Sequence, residues 1–211
     1  IFSGGEFPTR QLEENKADLS AQVASLRQGI TELKHLESLH SADVLHIQMK
    51  NLTQASAESC QSFFRNWGTR TLTSVQYLDD GDQLKLQISL SDGQATFDFS
   101  GTCSSRKDNL NATEAITQSV ICYCLRLLIN EDLPLNEGLL APVKIIIPEG
   151  SILSPIFSQR IQDCPGVAGG NVEISQKLVD LIMSAFDYVA CSQGTMNNIT
   201  FGNESFSHYE T

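Results

Sequence analysis

The sequence predicts an α+β protein with an N-terminal helical hairpin, an antiparallel β-hairpin or meander, and further helices packed on the sheet. Three observations predict this class. Apolar residues first recur at helical spacing, then alternate at period two, and helical spacing returns later in the chain. Because helices and hairpin strands are segregated rather than strictly alternating, the order favours α+β over α/β.

Two helices are predicted at the N-terminal end. From Leu12 to about Leu36, apolar residues recur at steps of four, three, four and three, which places one stripe on one helix face. The stripe is Leu19, Val23, Leu26, Ile30 and Leu33. Ser41 and Asp43 can cap a second helix that ends before Gly68. Its apolar positions are Val44, Ile47, Leu52, Ala55 and Phe63.

The clearest strand signal surrounds Asp92-Gly93. Alternating apolar residues lie on both sides of this dipeptide, and such an Asp-Gly turn is typical of a β-hairpin. Counting outward predicts the pairs Leu90–Ala95, Ile88–Phe97 and Leu86–Phe99 on one face. The opposite face places Gln87 across from Asp98 and is expected to face solvent. Asp79-Asp80-Gly81 predicts a turn before the hairpin, after a strand that contains Val75.

Three more elements complete the predicted fold. Thr113 can cap a helix. Its apolar positions are Ile116, Val120, Tyr123, Leu127 and Leu128. The segment Val143–Ile147, bounded by Pro142 and Pro148, predicts a strand that is apolar enough to be buried. A last helix is predicted from about Val172 to Phe186. Its inner face is Ile174, Leu178, Leu181, Ile182 and Ala185.

Composition limits the partners of the chain. The 14 basic and 25 acidic residues give a net charge of -11, which would repel a phosphate backbone, so we expect no nucleic-acid partner. No apolar run approaches membrane-spanning length, so we expect no membrane partner. Six cysteines in a chain with enough apolar residues for its own core favour reduced thiols and a cytoplasmic location, although four Asn-x-Ser/Thr triplets argue weakly against it.

A polar run from Ser192 to Asn203 is the first candidate site. It holds no charged residue, but it is rich in amide and hydroxyl groups that donate and accept hydrogen bonds. Because Met196, Ile199 and Phe201 are interspersed, the run predicts a loop fixed against a core, suited to a neutral, planar ligand. The alternative is a packed structural loop. The candidate ligand-binding residues are Ser192, Gln193, Gly194, Thr195, Asn197 and Asn198.

The sequence Gly169-Gly170-Asn171 is the second candidate. Two glycines permit a tight turn, Asn171 can cap the helix that follows, and the free N–H groups of its first turn would attract an oxyanion. An ordinary capped helix start is the alternative. Catalytic residues stay unassigned, because the chain has neither a Gly-x-Ser-x-Gly elbow nor a His-Glu-x-x-His pair. No metal ligands are predicted, since His35, His40 and His46 do not share one helix face.

In their order along the chain, these segments resemble the hydantoinase B/oxoprolinase family. The resemblance rests on Gly169–Gln176, the run from Ser192, and Tyr209–Thr211, and it extends to several upstream segments. These are Asp18–Gln22, Gln87–Leu90, Phe97–Thr102, Asn109–Ala112, Pro134–Asn136, Ala141–Val143 and Ile147–Ser151. Residues 1–211 therefore look like a fragment of one family domain, with sub-regions 1–68 and 69–211.

The resemblance implies a hydrolase of the 5-oxoprolinase type, which opens the lactam ring of 5-oxo-L-proline to L-glutamate in glutathione metabolism. It implies that an A-type domain, in cis or as a subunit, activates the cyclic amide with ATP and Mg bound outside this sequence. The B-type region, to which this chain is similar, would complete hydrolysis. A divalent metal in that region would take its ligands from outside this sequence. We expect a homo-oligomer, and no activity from these 211 residues alone.

Two alternatives remain open. The same family resemblance is compatible with an ATP-dependent hydantoinase or a ketone carboxylase. The chain is also compatible with an inactive remnant that serves as a binding or assembly module. The segment Phe157–Cys164 motivates the latter, because it differs from the small, proline- and alanine-rich loop usual in the family, and His208 stands where a tyrosine is usual. The first residue, Ile1, and the last, Thr211, suggest an internal piece of a larger polypeptide.

Overall fold

Two long helices begin the chain, and the computed structural model describes residues 11–195 and 199–210. Helix α1 spans Leu12–His40 and helix α2 spans Ala42–Trp67. Only Ser41 separates them, with φ of 67°, and its N–H donates to the Glu37 carbonyl at 2.9 Å. Both predicted helices are confirmed, and α1 runs one turn beyond the predicted end at Leu36. The chain divides into two compact units, Ile1–Asn51 and Leu52–Thr211.

The predicted apolar stripe of α1 is exposed. No described residue of α1 is buried, and Leu26 is 70% exposed. The stripe is therefore only partly covered, and none of its residues joins a buried core.

The buried face of α2 differs from the predicted one. Leu52 is exposed, and the buried residues of this helix are Ser56, Ala57, Cys60 and Phe64. The reason is an aromatic cluster at the end of the helix. Phe63 and Trp67 pack against Phe186, with ring centroids 5.8 and 5.1 Å apart. These contacts hold Phe63, which was among the predicted positions, against the core, while the fully buried residues lie on the adjoining helix face.

A four-stranded sheet forms the centre of the second unit. Its strands are β1 (Arg70–Tyr77), β2 (Gln83–Ser91), β3 (Gln94–Asp98) and β4 (Val143–Ile146), in the order β1-β2-β3-β4. The first three are antiparallel neighbours, and β4 is parallel to β3. A second, two-stranded sheet contains β5 (Ile199–Gly202) and β6 (Ser207–Glu210).

The Asp-Gly turn sets the predicted register. Leu90 lies opposite Ala95 and Ile88 opposite Phe97. The φ values of Asp92 and Gly93 are 51° and 75°, the left-handed pair that this turn requires. The third predicted pair, Leu86–Phe99, keeps this register but lies one residue beyond the ladder, which ends at Asp98. Both side chains are fully buried, and the Phe99 N–H donates to the Ile146 carbonyl of β4 at 2.9 Å.

Strand β4 is not buried as predicted. Val143, Ile145 and Ile146 are half-buried, and Lys144 is exposed. The strand lies at the edge of the sheet, so its apolar side chains are covered incompletely.

Helix α3 (Glu114–Ile129) and helix α4 (Ile174–Ala185) pack on each other, and α4 covers β1 and β2. The predicted inner face of α4 is fully confirmed. In α3, Tyr123 and Leu127 are exposed, and Cys124 and Leu125 are buried in their place. The largest fully buried side chains of the core are Phe64, Phe97, Phe99, Leu84, Leu86, Ile88, Leu90, Ile121, Leu125, Leu139, Ile152 and Leu153. Among the described residues, no helix is long and apolar enough to cross a membrane.

Candidate functional site

The glycine pair does not form the predicted helix start. Ala168–Gly170 is a 3-10 turn, and α4 begins only at Ile174, with Glu173 at its N-cap. The N–H groups of Val172 and Glu173 donate to the Gly169 carbonyl at 3.3 and 2.8 Å. The prediction that Asn171 caps the helix is therefore wrong, and these amides are directed into the turn rather than outward.

Both glycines allow a close approach of two backbone segments. The Gly169 N–H donates to the Asn109 carbonyl at 2.7 Å. A Cβ at Gly170 would lie 2.6 Å from the Asn111 carbonyl oxygen and 2.7 Å from the Ala112 Cα. Only glycine fits these distances without moving the facing backbone, so the pair fixes the turn against the segment before α3.

The buried side chain of Asn111 connects the glycine turn to the segment before α3. Its side chain is fully buried, accepts a hydrogen bond from the Arg106 N–H at 2.7 Å, and donates to the Gly166 carbonyl at 2.9 Å. A buried amide with these partners holds two loops at a fixed separation.

The polar run begins as a loop that is anchored to α4. The buried carboxylate of Asp180 accepts hydrogen bonds from the Ser192 N–H at 3.0 Å and from the Ser192 hydroxyl at 3.3 Å. The Gly194 N–H donates to the Ser192 hydroxyl at 3.0 Å, and Gly194 adopts φ of 65°. These bonds fix residues 192–195 against the core. The predicted apolar anchors are wrong where they can be seen: Ile199 and Phe201 lie in β5 and are 64% and 55% exposed, and Met196 lies outside the described residues.

One hydrogen bond brings the two predicted segments together. The Thr195 hydroxyl donates to the Glu173 carboxylate at 2.6 Å, and Glu173 lies two positions after Asn171. Glu173, Lys177 and Asp180 were not predicted as site residues. Their spacing of four and three places them along one edge of α4, and this polar edge is the signal that could have identified them.

A cleft of about 450 Å³ opens beside this hydrogen bond. We call it the Thr195 cleft, and it is lined by Leu78, Asp79, Asp80, Leu110, Glu173, Lys177 and Thr195. Its volume lies in the range that small-molecule sites occupy. Its walls combine carboxylates, one hydroxyl, one ammonium and two leucines, so it can bind a small ligand that both donates and accepts hydrogen bonds.

Arg106 holds one wall of the cleft in place. Its guanidinium contacts Asp80 at 2.6 Å and Asp108 at 2.7 Å, and it also pairs with Asp82. Hydrogen bonds from Arg106 hold the pKa values of the Asp80 and Asp108 carboxyls below their usual range. The carboxylates therefore stay charged at neutral pH, and the turn before β2 is tied to the segment before α3.

The structure separates the predicted site residues into three groups. Ser192, Gly194 and Thr195 lie together against α4, and Gln193 is exposed in the same loop. Gly169 and Gly170 are buried under the neighbouring turn, where Asn171 is exposed and its carbonyl accepts from the Ser175 hydroxyl at 2.6 Å. Asn197 and Asn198 lie outside the described residues. The binding role of all nine stays a prediction.

The cysteines and histidines add no reactive group to this site. All six cysteines are free thiols, and burial raises the pKa values of Cys60 and Cys124 to about 12, which disfavours their thiolates. The His208 ring packs against Phe201 with centroids 4.9 Å apart. Within residues 11–195 and 199–210, no cluster of three or more His, Cys, Asp or Glu could hold a metal ion.

Comparisons with known proteins find the same family along nearly the whole chain. The family model "Hydantoinase B/oxoprolinase" matches residues 5–211. The chain is 39% identical to 5-oxoprolinase 1 of Arabidopsis thaliana and 39% identical to the 5-oxoprolinase of Dictyostelium discoideum, in each case over 96% of its residues. It spans only 17% and 16% of the lengths of these two relatives.

A solved structure shares the fold. The crystal structure of an ATP-dependent caprolactamase from Pseudomonas jessenii superposes with a TM-score of 0.74 over 99% of this chain and 37% of that chain. Sequence identity is 15%, so this likeness concerns the fold alone.

Proposed function

Because this chain belongs to the hydantoinase B/oxoprolinase family, we propose that it is part of an ATP-dependent cyclic amide hydrolase that opens the lactam of 5-oxo-L-proline. The observation that carries this proposal is the 39% identity to two proteins named 5-oxoprolinase over 96% of the chain. In the net reaction, the hydroxyl of water bonds to the ring carbonyl carbon, the amide C–N bond of the ring breaks, a proton passes to the nitrogen, and L-glutamate forms. Coupled hydrolysis of ATP to ADP and phosphate drives the opening.

The proposal divides the work between regions. An A-type domain, in cis or as a subunit, binds ATP and Mg and activates the amide, and this B-type region completes hydrolysis. The short span of the chain relative to its relatives supports further regions in the same polypeptide. The same proposal includes a cytoplasmic location and a role in glutathione metabolism. It also includes assembly into a homo-oligomer. A divalent metal of the B-type region would be held by residues outside this chain.

The residues of the Thr195 cleft suit the hydrolytic half of the reaction. The Glu173 carboxylate can accept a hydrogen bond from the amide N–H of a lactam. The Thr195 hydroxyl holds this carboxylate at 2.6 Å, and Asp180 holds the loop that carries Thr195. These groups are held in position before a cyclic amide binds. Binding therefore costs less conformational entropy than it would if the side chains had to be ordered by the ligand.

The test uses the full-length gene product and measures ADP and L-glutamate together. We expect Thr195→Val to lower glutamate formation by about tenfold, as expected for the loss of one hydrogen bond to a charged group, and to change ADP formation less. Thr73→Val is the matched control, because Thr73 is exposed on β1 and does not line the cleft. It should leave both products unchanged.

Each other outcome has a defined meaning. If the unsubstituted protein forms no glutamate from 5-oxo-L-proline and ATP, the proposed function is wrong. ATP use that requires a hydantoin, or a ketone with bicarbonate, would assign the protein to another reaction of the family. Equal loss of both products in Thr195→Val would assign this residue to folding or to substrate capture.

A further inference from the structure

Lys177 is the one cationic side chain among the described residues that line the Thr195 cleft. It lies one helical turn after Glu173 on α4 and is half-buried. A lysine packs its methylene stem along apolar surface while its ammonium group reaches solvent. The Lys177 side chain can therefore present its charge to a ligand in the cleft.

Three of the neighbouring carboxylates, those of Asp80, Glu173 and Asp180, already have other hydrogen-bond partners. Asp80 pairs with Arg106 at 2.6 Å, and Glu173 accepts the Thr195 hydroxyl at 2.6 Å. Within the described part of the chain, the Lys177 ammonium makes neither a salt bridge nor a hydrogen bond. It thus remains available to a ligand in the cleft.

Gly194 leaves the space that this ammonium occupies. A Cβ at Gly194 would lie 3.2 Å from the Lys177 Nζ and 3.0 Å from an Asp180 carboxylate oxygen. Gly194 is buried, and the bonds of Ser192 hold its loop in place. The loop backbone therefore packs closely against Lys177 at the cleft.

The remaining lining groups define the complementary ligand. The Asp79, Asp80 and Glu173 carboxylates attract hydrogen-bond donors and repel anions, whereas Lys177 alone attracts an anionic group. A matching ligand carries an N–H donor at one end and a single carboxylate at the other. A small cyclic amide with a carboxylate on the ring carbon next to nitrogen has both groups.

Resting on the proposed function, we propose that Lys177 binds the substrate carboxylate and selects carboxylated lactams over neutral ones. The wall of carboxylates would orient such a substrate, with its N–H toward Glu173 and its carboxylate toward Lys177. A neutral lactam would lose only the second contact.

The test measures the KM for 5-oxo-L-proline and the inhibition constant of 2-pyrrolidinone, the same ring without a carboxylate, in the full-length protein. We expect Lys177→Gln to raise the KM by about tenfold to a hundredfold, because a charge-assisted hydrogen bond is lost. The inhibition constant of 2-pyrrolidinone should stay unchanged, and Lys177→Arg should recover most of the affinity. Lys144→Gln, on the exposed edge of β4, is the matched control.

Failure of this inference is distinct from failure of the proposed function. An unchanged KM in Lys177→Gln, or an equal rise in both constants, would overturn the role of Lys177 while ring opening by the unsubstituted protein stands. If that protein opens no lactam, calorimetric titration with 5-oxo-L-proline still decides. Binding that Lys177→Gln abolishes supports the carboxylate contact, and absence of binding to the unsubstituted protein rejects it.

Discussion

Arg106 joins three carboxylates around one guanidinium. Its side chain is 18% exposed, and hydrogen bonds from it lower the pKa values of Asp80 and Asp108 from a model-peptide value of 3.8. A carboxyl whose pKa is lowered by folding adds stability that is fully present above its unfolded pKa. This stability is lost as the pH falls through the folded pKa.

We therefore expect Arg106→Gln to flatten the acid dependence of stability. The unsubstituted protein should lose more Tm than the variant as the pH falls from about 5 to about 2, since only the former has the lowered pKa values. Thermal unfolding followed by circular dichroism at several pH values measures this. Arg27→Gln, on the exposed surface of α1, should leave the acid slope unchanged. Parallel acid slopes for the unsubstituted protein and Arg106→Gln would contradict the role of this cluster.

Gly170 offers a second test at the scale of single residues. Gly170→Ala would place a methyl group 2.6 Å from the Asn111 carbonyl oxygen, so we expect a loss of about 1–3 kcal/mol in the free energy of unfolding. The control is Gly29→Ala in α1, where no atom beyond the adjacent backbone of the same helix lies within 4 Å of the added methyl group. Urea denaturation measures both. If Gly170→Ala and the unsubstituted protein are equally stable, the facing backbone moves to accept the methyl group, and the predicted close packing is contradicted.

The residue scale is also where the sequence is least predictive. The polar loop from Ser192 was predicted to be fixed against the core by apolar anchors. Its bonds to Asp180 hold residues 192–195 there, but the predicted anchors Ile199 and Phe201 are exposed. The prediction of a helix cap at Asn171 was wrong. The local pattern of two glycines and an asparagine does not reveal the backbone segment that faces the two glycines. Asp180 was missed since its partner lies twelve positions later, beyond any helical period.

At the scale of elements, α1 and α4 both carry apolar residues at helical spacing, but their surroundings are opposite. Leu178 of α4 is fully buried, whereas Leu26 of α1 is 70% exposed. We expect Leu178→Ala to lower the free energy of unfolding by about 2–5 kcal/mol, and Leu26→Ala to change it by less than about 0.5 kcal/mol. Chemical denaturation of the two matched variants measures the difference. A comparable loss in Leu26→Ala would mean that the stripe is covered in the protein in solution.

Apolar periodicity predicts the position of a helix or strand along the sequence better than it predicts which other elements pack on it. The hairpin register follows from the two-residue turn at Asp92-Gly93, because so short a connection permits few pairings. The parallel pairing of β4 with β3 was not predicted, since it depends on the helix and loops between these strands rather than on either strand's sequence. The sequence of β4 also does not show that the strand lies at the edge of the sheet, and for this reason β4 was wrongly predicted to be buried.

At the scale of the whole chain, stability is expected to reside in the second unit. All buried residues within the described ranges lie in Leu52–Thr211. We therefore expect deletion of residues 1–41 to leave the urea midpoint unchanged, when unfolding is followed by the fluorescence of Trp67, the one tryptophan in the sequence. Helical ellipticity should fall. A markedly lower midpoint would show that the first unit supports the second.

The parallel pairing of β4 also has a consequence for synthesis on the ribosome. Strands β1, β2 and β3 follow one another closely, so their meander can form as soon as Asp98 has emerged. The other edge of β3 then has to wait for α3 and the loop that ends at Pro142 before β4 can cover it. During this interval the nascent chain displays unpaired N–H and carbonyl groups beside Phe97. Chaperone demand should therefore peak while residues 99–142 emerge from the ribosome, and decline once Ile146 has joined the sheet.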